Sequence, residues 1–170
     1  MKAKWTLFAL VLALPMAAYA ASSSSRVSHQ DKVWMKAAHQ ANLTEIKAGK
    51  VAQRKGMNAI VRKTGHMLVT DHTMLDAALK RAAHELSVPL PGSPSPMQQK
   101  VLHKAKSMSG ADFDKYWVRS MEMAHLKAIN KTNFEIHHAG SELVKTLAKK
   151  ALPALQTHLN MLQHAQNEVK

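Results

Sequence analysis

Four of the chain's six prolines, Pro89, Pro91, Pro94 and Pro96, fall between Val88 and Met97. Proline lacks a backbone N–H and crowds the carbonyl four residues back, so this run cannot be helical. On either side of it, apolar residues recur at spacings of three and four, with no strand-like alternation and no internal repeat. Four long helices with two short connections and one long one describe an all-α, up-down-up-down four-helix bundle. The Pro-rich linker crosses one end of it, followed by a short extra helix between helices 2 and 3.

Local signals place the boundaries. Ser28 followed by Asp31 reads as a capped start, and the first helix should run to about Lys55, where Arg54 and Lys55 precede a Gly56 able to turn left-handed. Asn58 caps a second helix to about Ser87. The short helix is expected over Gln98 to Ser107, and Ser109 with Asp112 opens the third long helix, to about Ala139. Gly140 and Ser141 then lead into the last helix, with a break or kink where Pro153 meets the carbonyl of Lys149.

The first 20 residues read as a signal peptide: Lys2 and Lys4, an apolar run from Trp5 to Leu14, then Ala18-Tyr19-Ala20 as a cleavage pattern. Residues 21–27 read as a flexible leader and 28–170 as the bundle domain. The expected product is periplasmic or secreted, with no transmembrane segment after cleavage. The formal charge of +13, with 24 Lys and Arg against 11 Asp and Glu, falls by the two leader lysines on cleavage. With only 5% aromatic residues and none clustered to stack bases, nucleic acid is not the expected partner; anionic envelope surfaces are. The absence of Cys excludes disulfides, thiolate metal sites and Cys nucleophiles.

Each long helix carries one proton-binding residue on an otherwise apolar inward stripe: Glu45 among Trp34, Ala41 and Ala48; His72 among Leu68, Leu75 and Leu79; His125 among Val118, Met121 and Ala128; His158 among Leu155, Leu162 and Ala165. Glu122 lies one turn before His125 on nearly the same face. At about 1.5 Å per residue, Glu45 and His72 differ in height by roughly 7 Å and His125 and His158 by about 5 Å, offsets that a side chain and a small tilt absorb. One shared centre is therefore geometrically possible. Buried groups of this kind are costly unless paired or bound to a metal. The alternative is a hydrogen-bond network that only fixes the bundle's register.

Glu45 with Gly49 and Ala52, Asp71-His72-Thr73, Ser109-Gly110 with Phe113-Asp114 and Tyr116, and Leu152-Pro153 with His158 together resemble an uncharacterised bacterial family, domain of unknown function 4142. The resemblance spans roughly Asp31 to Gln166. It implies an exported, ferritin-like helical bundle, often labelled an outer-membrane protein, with no established reaction. Glu45, Asp71, His72, His125 and His158 match recurring family positions; where the family commonly has Asp before the third-helix His, this chain has Ala124, and Glu122 is the carboxylate that could substitute.

Ferritin-like di-iron sites need two Glu-x-x-His pairs, but Val69 and Leu155 stand where the second would begin. Three imidazoles with Glu45 and Glu122 instead suit a single Zn, Cu, Ni or Fe ion, with Asp76 orienting the His72 ring and Asp71 also in the outer shell. A sulfur-based copper reading would use Met74, Met121, Met123 and His158-x-x-Met161-x-x-His164. No nucleophile, oxyanion hole or phosphate loop is recognisable, so the expected role is metal binding or envelope stress rather than catalysis.

Overall fold

The computed structural model describes residues 26–169. The signal segment, and the leader apart from Arg26 and Val27, lie outside the described residues. Within them the chain is all-helical: α1 (His29–Lys55), α2 (Ala59–Glu85), α3 (Pro96–Ser107), α4 (Gly110–His138) and α5 (Glu142–Glu168). None of these helices is long and apolar enough to cross a membrane.

Two of the expected start signals form side-chain caps. Ser28 and Asp31 form a reciprocal capping box at α1, and the Asn58 side chain accepts from Ile60 N–H at α2. Ser95 and Gln98 form a second box at α3, so this helix begins at Pro96 rather than Gln98. Proline suits that first helical position because the missing N–H has no intrahelical partner there anyway. Ser109 occupies the N-cap position of α4, but its side chain makes no cap bond.

Two other expectations, a left-handed Gly56 and a break at Pro153, are corrected. Gly56 is not left-handed (φ −57°, ψ 120°). It is needed for space, since a Cβ there would lie 2.7 Å from Ala52 O. Pro153 does not break the last helix, which is continuous across it. Pro153 and Lys149 are both exposed, so water can satisfy the carbonyl that proline leaves without a donor.

α1 packs along α2 and α4 along α5; α1 also meets α4 and α2 meets α5, while α3 lies on α1 and α4. Glycine lets α1 and α2 come unusually close. A Cβ on Gly49 would stand 2.5 Å from Gly65 O, and one on Gly65 would stand 2.7 Å from Ala52 Cβ. Trp117 locks α4 to the same stretch by donating its indole N–H to Ala48 O at 3.0 Å. Two buried acids tie helix ends across the bundle. Asp114 accepts from Met57 and Asn58 N–H (3.1 and 2.7 Å), and Asp31 accepts from Gly140 N–H (3.0 Å).

The apolar core is divided. One cluster centres on Phe113, Trp117, Leu68 and Leu162. A second, around Trp34, Met35, Val88 and Val144, includes Val27 at its edge. The polar side chains of interest lie between them. Because the α1–α2 contact leaves no room for a methyl group, Gly65→Ala should destabilise the fold by about 1–3 kcal/mol. Denaturant melts test this; unchanged stability would mean the helices separate freely at Gly49 and Gly65.

Candidate metal centre

α2, α4 and α5 each deliver one buried imidazole to the middle of the bundle: His72, His125 and His158, at 2%, 1% and 0% exposure. Their ring centroids are 5.1–5.6 Å apart. One ring nitrogen of each lies within 4.8 Å of the other two, close enough to hold a metal ion.

The hydrogen-bond partners assign the ring protons. His125 Nδ1–H donates to Met121 O, one turn back on α4, at 2.9 Å. His158 Nε2–H donates to Asp71 Oδ2 on α2, at 2.9 Å. His72 Nδ1–H donates to Asn42 Oδ1 on α1, at 2.9 Å. The Asn42 amide is oriented in turn by Asp76, whose Oδ1 lies 3.5 Å from Asn42 Nδ2 and 2.6 Å from His39 Nδ1. A neutral imidazole has one N–H. With each spent on an oxygen, His72 Nε2, His125 Nε2 and His158 Nδ1 are left as lone pairs. His72 Nε2 is buried without any partner. His125 Nε2 and His158 Nδ1 face each other at 3.2 Å.

Burial keeps the rings neutral. Desolvation, followed by the neighbouring imidazoles, lowers His72 well below the usual range. Desolvation brings His125 down to about 4 against the favourable Met121 carbonyl. His158 is also lowered by burial, although the bond to Asp71 opposes the shift. Glu45 moves the other way, raised by burial to about 8, and so is neutral at pH 7. A cavity of about 400 Å³ reaches His72, His125 and Glu45.

Three of the four inward residues expected to meet do so. Glu45 is buried beside them, its Oε1 3.8 Å from His125 Nδ1, and its Oε2 has no hydrogen-bond partner. It abuts the back of the His125 ring and is outside the group of mutually close ligand atoms. Glu122 is half-buried on α4 and also outside that group. Asp71 serves His158, while Asp76 reaches His72 only through Asn42. Met74 and Met123 are exposed and Met121 is packed in the core, so the sulfur set does not assemble. Asn42 and His39 were missed by pattern reasoning. Their spacing of three from each other, with Asn42 three before Glu45, was the available signal.

The shifts set opposed pH slopes. Imidazoles held neutral contribute stability above the unfolded value of 6.5, lost as pH falls through the folded value, about 4 for His125. Glu45, held protonated, contributes below its unfolded value of 4.5 and loses that contribution as pH rises through about 8. Glu45→Gln removes this second slope. In metal-free melts it should gain on the parent chain between pH 4.5 and 8, by on the order of a few kcal/mol at the upper end. Parallel pH profiles for the two proteins would show that Glu45 is ionised in the fold.

No curated protein and no solved structure matches the chain. The family described as Domain of unknown function (DUF4142) matches residues 16–165, and the chain, with its buried His triad, belongs to that family.

Proposed function

We propose that this chain is an exported helical-bundle protein, up-down-up-down and ferritin-like in arrangement, that binds one transition-metal ion through His72, His125 and His158. The observation that carries the reading is the convergence of three buried lone pairs, each on a ring whose other nitrogen donates to an oxygen. That is how proteins present neutral imidazole to a metal: the outer acceptor selects the tautomer and fixes the ring. An all-imidazole donor set suits Zn, Cu, Ni or Fe and not Mg or Ca. Val69 and Leu155 precede His72 and His158 by three residues, so neither forms the second Glu-x-x-His pair that a di-iron centre needs beside Glu122 and His125.

The signal-like N-terminus supports a periplasmic site of action, and the cationic excess supports contact with anionic envelope surfaces. Metal binding, or protection of the envelope under metal stress, is the role that fits, without a catalytic step. One observation favours a second reading, a structural bundle whose core His and Glu form only hydrogen bonds. The 3.2 Å approach of His125 to His158 is a good hydrogen bond if one ring is cationic, and Asp71 stands beside His158 to support that charge.

Elemental analysis of untagged protein, with thermal melts on adding Zn, Cu, Ni or Fe, separates the two. The metal reading expects about one ion per chain and a raised melting temperature. His125→Ala should abolish both, and Asp71→Asn should weaken affinity about 10–100-fold. A chain that takes up none of these ions and shows no thermal shift is the structural bundle.

A further inference from the structure

Between the two apolar clusters, the bundle is lined with side chains too small to fill it. Ala38 and Ala41 on α1, Ala78 on α2, Ala124 and Ala128 on α4 and Ala151 on α5 all border the cavity of about 400 Å³. Leucine at these inward positions would close the space, as Leu68 and Leu162 do in the neighbouring cluster. The volume lies toward the lower end of the range of about 300–1,000 Å³ found for small-molecule pockets, room for one slender ligand. Trp34, Leu75, Leu79, Leu147 and Leu155 add larger apolar side chains to the wall, while His72, His125 and Glu45 lie at its inner end.

The outer part of the cavity differs in charge from its inner end. Lys127 and Lys131, one turn apart on α4, and Lys150 on the adjacent α5 line it and are exposed. None of the three forms an ion pair among the described residues. Glu45, buried at the inner end, is the one acid among the lining residues. The mouth is thus cationic and uncompensated, while the interior offers a charged group little hydration.

We propose that this cavity binds a single-chain anionic amphiphile of the fatty-acid type, its alkyl chain among the alanines and leucines and its carboxylate at Lys127, Lys131 and Lys150. The reverse orientation would bring a carboxylate next to the buried Glu45 carboxyl and strip it of water. The binding does not depend on a metal at the His triad, so it stands or falls separately from that centre.

Trp34 in the wall supplies the readout. Dodecanoate brominated at its chain end, added below its micelle concentration to untagged, chelator-treated protein, should quench Trp34 fluorescence saturably at one ligand per chain, and Trp34→Phe should lose that signal. Unlabelled dodecanoate should compete at least about tenfold better than dodecyltrimethylammonium, the cation of the same length. Lys127→Glu combined with Lys131→Glu and Lys150→Glu should weaken binding at least about tenfold with an unchanged melting curve. Ala128→Leu should weaken it by filling the cavity. The inference is overturned by absent or non-saturable quenching, by equal competition from the cation, by an indifferent lysine variant, or by partition into anionic vesicles without monomer uptake.

Discussion

A buried imidazole has two nitrogens to satisfy, and this bundle gives one on each of three rings an oxygen acceptor, leaves His72 Nε2 with no partner, and turns His125 Nε2 and His158 Nδ1 only on each other. Burying an unmade hydrogen bond costs about 1–3 kcal/mol, and burying a charge costs more. The fold nevertheless places His72, His125 and His158 in contact with one another, and gives each a single oxygen acceptor on the side away from the others. A proton could satisfy one pair of facing lone pairs, but desolvation and mutual repulsion resist it. A metal ion would satisfy all three lone pairs at once, with no proton added to any ring. The acceptors come from different sources: a helix carbonyl for His125, a carboxylate for His158, and an amide for His72 that is itself held by Asp76. The second-layer groups therefore hold the rings whether or not an ion is present.

The rest of the interior is arranged around this layer. The two apolar clusters carry the packing at separate levels, with large side chains such as Trp117 and Phe113 in one and Trp34 and Met35 in the other. Tight contacts lie next to the centre rather than in it. Gly49 and Gly65 bring α1 and α2 together one to two turns from Glu45 and His72, and Trp117 pins α4 to Ala48. Rigid crossings on one side and alanine-lined space on the other leave His72 and His125 at the inner end of a cavity, held in place by their neighbours without being sealed by them.

Much of this was legible in the residues. The proline run is not helical as far as Pro94, although Pro96 opens α3, the Ser28–Asp31 and Asn58 caps mark real starts, and the inward stripes bring His72, His125 and His158 inside. Periodicity succeeds there because a helix of fixed pitch must present every third or fourth residue to the same neighbour. It fails at finer detail. Height counting put Glu45 in a common centre with the three imidazoles, yet its carboxyl reaches only the far edge of His125, because a position along a helix says nothing about which side of a ring a neighbour meets. Asp76 looked like a partner for His72 by its i, i+4 spacing, but its carboxylate turns to α1, where His39 and Asn42 compete for it.

The primary structure by itself determined an all-helical chain, the capped starts of its first two helices, and that Glu45, His72, His125 and His158 face inward, since these follow from capping chemistry and the 3.6-residue turn. Only the tertiary structure decided that three imidazoles meet while Glu45 stands behind one of them, that Asp71 holds His158 across helices, and that a cavity opens beside the group. Those outcomes depend on helix rotation, close approach and rotamers, which are set when whole helices pack against each other and not by the local spacing of residues along any one of them.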